Sequence, residues 1–128
     1  MQALLDTNAF LWWAADDPRL SATARETIQD PDNEIFFSVA SAWEIIIKTR
    51  IGKLTLPESP ESYIPTRVDY YCFQILPIEI KHVLQIWELD SHHKDPFDRL
   101  LIAQSQVENL PIITKDAKIS LYDVDILW

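Results

Sequence analysis

The strongest constraint on the fold is a repeated pairing of a short apolar run with a polar or acidic stop. QALL ends at Asp6, EIFFS spans Glu34–Ser38, CFQILPI begins at Cys72, and LPIIT runs into Lys115-Asp116. Runs of this length, bounded by turn residues, predict buried strands. Helical patterns lie between them. AFLWWAA (residues 9–15) predicts an apolar helix stopped by Asp16-Asp17-Pro18, and Ser21 caps SATARETIQD, with Pro31 just beyond its end. VASAWEIIIKTRIGK places Ala42, Ile45, Ile46 and Thr49 at helical spacing, with Gly52, the only glycine, at its stop. Residues 57–70 are punctuated by proline and end in a short helix. EIKHVLQIWEL predicts an amphipathic helix with Ile80, Val83, Leu84 and Trp87 on one face, and PFDRLLIAQSQVEN a deeply buried one. The tail VDILW adds an edge strand. Strands alternating with helices imply right-handed crossovers and a mainly parallel sheet covered on both faces. The expected fold is a three-layer α/β/α sandwich forming a single domain over residues 1–128.

Composition then removes whole classes of function. One glycine cannot build a dinucleotide fingerprint or a P-loop. One cysteine, Cys72, allows no internal disulfide and no cysteine zinc cluster, which suits a reducing compartment. The start MQALLDTN lacks the basic and apolar regions of a secretory signal, and no apolar run approaches the ~20 residues that span a bilayer. The expectation is a soluble, cytoplasmic protein with no membrane partner. A net charge of −9 argues against a surface that attracts nucleic acid as a whole. Acids gathered around a cation would reverse the field locally.

Four acids fall where such a cluster can form. Asp6 and Asp116 directly follow predicted strands, at the sheet edge where open parallel sheets bind ligands. Asp98 lies in the first turn of a helix whose N-terminus points toward that same edge. Glu44 sits two turns into a helix, inside the apolar context SAWEIII. Each has an ordinary alternative: Asp6 and Asp116 as helix caps, Asp98 as a carboxylate favoured by the helix dipole after an Asp95 cap and Pro96, Glu44 on a solvated stripe. Were they to converge without a cation, each close pair would repel by ~4 kcal/mol at roughly 4 Å and an effective dielectric near 20. Hard oxygen ligands of this kind suit Mg²⁺ or Mn²⁺, in sites that activate water or support an in-line phosphodiester displacement.

Three ordered blocks add a resemblance over essentially the whole chain: LLDTNAFLWW, SVASAWEIIIKTRIGKL, and HHKDPFDRLLIAQ with LPIITKD. Together they resemble PIN-domain proteins, in particular the VapC-type ribonuclease toxins of toxin–antitoxin pairs. The resemblance implies an α/β/α sandwich and an acidic site of Asp6 (D-T-N), Glu44 (S-x-W-E), Asp98 (second aspartate of DPFD) and Asp116 (T-K-D). It implies Mg²⁺ or Mn²⁺ as the cofactor, RNA as the substrate, and an antitoxin and a second copy of the chain as partners. Thr7 and Thr114 carry hydroxyls suited to orient the carboxylates. Asn8 stands where many relatives with this WW-type start have histidine; its amide can hydrogen-bond but does not titrate near neutrality.

RNA would then be drawn by the cation and by a local basic rim. Lys48, Arg50 and Lys53 of KTRIGK, with Lys94, Arg99 and Lys115, are the candidates, against the alternative of a solvated helix face. His92 and His93, being adjacent, are expected to be loop residues rather than a metal pair. Trp12, Trp13, Trp43 and Trp87 are expected in the core or an interface, with Phe10 and Trp13 contributing to an antitoxin groove. The expected function is a metal-dependent endoribonuclease acting as a toxin. The rivals are a non-catalytic interaction module of the same fold and a housekeeping RNA-processing nuclease.

Overall fold

The computed structural model describes all 128 residues. Five parallel strands form one sheet: β1 (Gln2–Leu5), β2 (Glu34–Ser38), β3 (Gln74–Leu76), β4 (Ile112–Ile113) and β5 (Ile126–Leu127), in the order β3-β2-β1-β4-β5. Six helices connect them: α1 (Thr7–Ala14), α2 (Ala22–Gln29), α3 (Val39–Arg50), α4 (Pro60–Tyr70), α5 (Ile80–Ile86) and α6 (Pro96–Glu108), followed by a 3-10 turn at Ile119–Leu121. No helix is long and apolar enough to cross a membrane.

The alternation of side chains along a strand divides the core. Ala3 and Leu5 of β1 pack with Ile35 and Phe37 of β2 against Phe10, Ala24, Ile28, Tyr63 and Val68. Leu4 faces the opposite layer, with Leu76, Leu100 and Leu101. Helices thus cover both faces, giving the expected three-layer sandwich. The apolar run Leu100–Ala103 is buried almost throughout, as α6 is wedged between sheet and 3-10 turn. Phe10 has no exposure, and its ring packs tilted against Phe37 with centroids 4.4 Å apart. It is core and has no surface to offer an antitoxin groove, contrary to expectation.

Two predicted helix faces are turned differently. The stripe of α3 that goes inward is Ala40, Ser41, Glu44 and Ile45, whereas Ile46 is exposed. On α5 and at its C-cap the apolar residues Ile80, Val83, Leu84 and Trp87 all point outward, Trp87 at 89% exposure. The reason is polar docking. His82 is fully buried, accepting the Glu79 amide on Nδ1 and meeting Glu108 of α6 through Nε2 at 2.9 Å, while Gln85 bonds Gln106. The helix after the proline-rich segment is also longer than predicted, taking Pro65 inside it. Gly52, at φ 78°, ends α3 as its placement predicted, because a left-handed residue without Cβ costs little there.

Candidate active site

β1 is the strand at which the chain order reverses, since its neighbours are β2 on one side and β4 on the other. Parallel sheets leave a crevice at the carboxyl ends beside such a strand. Asp6 leaves β1 into this crevice and Asp116 follows β4 into it. Asp6 is also the N-cap of α1: its Oδ1 accepts the Ala9 amide at 2.7 Å. The cap fixes the carboxylate's direction, so capping and site geometry act together. Thr114 donates its hydroxyl to Asp6 Oδ2 at 2.5 Å and accepts the Asp116 amide at 3.0 Å, tying the two strand ends together.

Glu44 and Asp98 reach the same place from two helices. Glu44 is buried on α3, with Oε1 held by the Thr7 hydroxyl at 2.6 Å and Oε2 paired with Lys48 one turn on. Asp95 caps α6 by accepting the amides of Phe97 and Asp98, which places the Asp98 side chain at the cleft. A cavity of about 280 Å³ results, lined by Asp6, Glu44, Asp98 and Asp116 together with Thr7, Asn8, Trp12, Lys48, Asp95 and Lys115. A larger one of about 640 Å³ lies between α5, α6 and the chain's end. Its acids Glu88, Asp90, Asp123 and Asp125 are not joined by any shared donor.

The electrostatics of the smaller cleft are those of buried carboxylates with acidic neighbours. Burial pushes Asp6 up to about 6, against the Thr114 and Ala9 hydrogen bonds, and the charges of Asp116 and Glu44 add to the rise. Burial also pushes Asp98 up to about 7, with Asp95 and Glu44 adding and His93 opposing. Partial burial works against the Lys48 ammonium, but its bond to Glu44 and the charges of Asp95 and Asp98 outweigh that and hold it above its ordinary value. Burial is thus the main cause of both rises and the neighbouring carboxylates add to it, and a divalent cation in the cleft would offset both by supplying the charge that these acids lack. Of the eight carboxylate oxygens on the four acids, only the two of Asp98 accept no hydrogen bond from the protein, although Oδ2 lies 2.9 Å from His93 Nε2. An all-oxygen donor set with an open position fits Mg²⁺ or Mn²⁺.

The PIN-domain profile matches residues 3–126. The chain belongs to the PIN-domain family. It is 51% identical over 55 residues to Ribonuclease VapC16 of Mycobacterium tuberculosis, a stretch covering 40% of this chain and 39% of that protein. The chain thus spans about two-fifths of the length of the curated relative it matches. In three dimensions it resembles VapBC2 of Rickettsia felis, solved bound to a promoter DNA fragment, with a TM-score of 0.72 at 16% identity, covering 98% of this chain and 97% of the other. A toxin–antitoxin complex from Klebsiella pneumoniae gives a TM-score of 0.63 at 20% identity, covering 98% and 96%.

This PIN domain places the basic candidates unevenly. Lys48 and Lys115 line the cleft, although Lys48 is already paired with Glu44. Arg50 is exposed on the last turn of α3 and does not line it. Arg99 points away from the acids: its guanidinium donates to the carbonyls of Ile86, Leu89, Asp90 and His93 and to the Tyr122 hydroxyl. Its two terminal nitrogens are spent on holding the loop before α6, which turns the guanidinium away from RNA at the cleft. That loop carries the residue that sequence reasoning set aside. His93 is buried, and its Nε2 lies 2.9 Å from both Asp116 Oδ2 and Asp98 Oδ2. His92 stays outside, as expected of a loop residue.

Proposed function

We propose that this PIN domain is a metal-dependent endoribonuclease and the toxin of a toxin–antitoxin pair. The observation that carries the reading is the convergence of Asp6, Glu44, Asp98 and Asp116 from four separate segments on one cavity, with Asp6 and Asp98 both pushed toward neutral pKa values. The names of the relatives, a ribonuclease and a toxin–antitoxin complex, agree with it. Asp6 and Asp98 are the principal ligands for Mg²⁺ or Mn²⁺, with Glu44 and Asp116 completing the set. When bound, a divalent cation polarises a phosphodiester and makes water a competent nucleophile near neutral pH.

The chain's own residues prepare that chemistry. Thr114 and the Ala9 amide lock the Asp6 carboxylate, and Thr7 locks Glu44, so little reorganisation remains when substrate arrives. Lys115 and Lys48 supply the positive charge at the mouth that an RNA backbone requires, and Asn8 offers a neutral hydrogen-bonding group there. An antitoxin silences the enzyme by covering this cleft, with a basic side chain as the natural match for its acids. The exposed apolar side of α5 supports a homodimer, since four large apolar residues on one short helix and its C-cap are a surface that a second copy would bury. A cytoplasmic location follows from that role.

The test is cleavage of RNA by the purified protein with Mg²⁺ or Mn²⁺, against chelator and against Asp98→Asn. We expect cleavage that chelator abolishes and that the variant lacks. Cleavage undiminished by chelator, or by the substitution, would overturn the mechanism. Induced expression in a bacterial host separates toxin from housekeeping nuclease, because active enzyme without growth arrest contradicts the toxin role.

A further inference from the structure

His93 combines features that a loop residue does not need. It is buried, and its ring is held at both nitrogens. Nδ1 accepts the backbone amide of Asp95 at 3.2 Å. An acceptor at Nδ1 puts the ring proton of the neutral imidazole on Nε2. Nε2 donates to Asp116 Oδ2 at 2.9 Å and stands at the same distance from Asp98 Oδ2. The backbone of His93 is fixed as well: its amide donates to the Tyr122 hydroxyl at 2.8 Å, and its carbonyl accepts from Arg99 at 3.2 Å. Tyr122 in turn donates to the Asp90 carbonyl at 2.6 Å. Arg99 and Tyr122 therefore hold the loop so that this imidazole arrives between two acids from different elements.

We propose that His93 is a positioning residue of the acidic cleft, whose Nε2–H holds Asp116 and, standing 2.9 Å from Asp98 Oδ2, sets the spacing of the two acids for one divalent cation. The inference rests on the metal-dependent reading above and adds a residue to it. The tautomer decides between positioning and ligation. A metal-bound imidazole needs a free lone pair on the nitrogen that faces the ion, and here that nitrogen carries the proton. The bond also uses an oxygen of Asp116 whose other oxygen accepts the Lys118 amide at 2.8 Å. That leaves the Asp98 carboxylate as the member of this pair with no hydrogen bond of its own. A second cation between Asp98 and Asp116 would have to displace His93.

The experiment measures Mn²⁺ binding by electron paramagnetic resonance, with no RNA present, for the wild type, His93→Phe and His93→Gln. Glutamine retains an N–H donor, and phenylalanine fills the space without one. Losing a group that orients metal ligands typically weakens affinity about 10- to 100-fold, so His93→Phe should fall by that factor while His93→Gln stays within about threefold of wild type. Wild type should bind one ion per chain, and its spin-echo spectrum should carry no imidazole nitrogen coupling. Nitrogen NMR of the metal-free wild type should give an Nε2–H ring for His93, a readout that does not depend on any variant folding. The proposal is overturned by an Nδ1–H tautomer, by nitrogen coupling that His93→Gln removes, by two tight ions per chain, or by equal affinity in wild type and His93→Phe. It is equally overturned if His93→Gln is as weak as His93→Phe. A wild type that binds no ion defeats the metal-dependent function itself, and this assignment with it.

Discussion

The Thr114 hydroxyl donates to Asp6 Oδ2 at 2.5 Å, joining the ends of two neighbouring strands across 108 positions of sequence. Both groups are buried, and the same threonine oxygen accepts the Asp116 amide, so one side chain orients two acids. Thr114→Val keeps the shape and removes both bonds. Bonds to a buried charged group are worth about 1.5–3 kcal/mol, so urea unfolding should register a loss of about 2 kcal/mol. The Asp6 carboxyl should rise further above about 6, because the Thr114 bond is the main influence holding it down, and carboxyl-carbon NMR titration reads that directly. An unchanged Asp6 titration would mean that the bond does not form in solution.

The raised carboxyls also fix the sign of a pH effect. Asp6 and Asp98 titrate near 6 and near 7 in the folded chain and near 3.8 when unfolded. Between those values the folded state binds more protons than the unfolded one. Their contribution to stability is therefore full below about pH 4 and declines as pH rises through 6 and 7. Metal-free protein should lose melting temperature from about pH 5 to about pH 8, apart from the effects of other groups. Added Mn²⁺ should raise the melting temperature more at the higher pH, where it no longer competes with protons. Asp98→Asn should flatten the metal-free profile and melt higher than wild type near pH 8, though it loses cleavage. A metal-free wild type that gains stability over this range would show that the cleft acids are not raised as described.

Lys48 sits on Glu44 at the wall of the same cleft. It compensates a buried carboxylate, yet it also contributes a positive charge close to the cation position. Lys48→Met should therefore do two opposite things. Stability should fall by about 1 kcal/mol, less than for a fully buried pair because the lysine is 42% exposed. Mn²⁺ should bind several-fold more tightly, since a repelling charge has gone and Glu44 Oε2 is released. Calorimetric titration that finds weaker binding would place Glu44 outside the metal's reach.

Strand-end acids were readable because an abrupt change from apolar to acidic marks where a buried strand leaves the sheet. Asp6 and Asp116 fall at such points, and the parallel alternation placed them on one edge. Helix phase was harder, because counting apolar positions assumes that burial is apolar. Glu44 lies inward on α3 since Thr7 and Lys48 satisfy it, and the i,i+4 spacing of Glu44 and Lys48 was the available clue. His82 turns α5 by meeting Glu108, 26 positions away, which no local period encodes. His93 is the sharpest case. Two adjacent histidines in a loop carry no pattern, and the bond that aims His93 comes from Tyr122, 29 positions later.

The outward face of α5 yields the last prediction. Ile80 is 75% exposed, Leu84 66% and Trp87 89%, and Val83 completes the row. Apolar residues scattered singly on a surface are ordinary, but a contiguous row on one helix marks an interaction site. Because α5 is anchored to α6 by polar bonds at His82 and Gln85, its outer side chains can change without disturbing the sheet or the cleft. Leu84→Glu with Trp87→Glu should convert the proposed homodimer to a monomer in sedimentation equilibrium. Losing two central apolar contacts at about 2 kcal/mol each weakens association by roughly a thousandfold. The metal-binding stoichiometry per chain should not change, as neither residue lines the acidic cavity. A wild type that sediments as a monomer at high concentration would remove the second copy as the partner of this row.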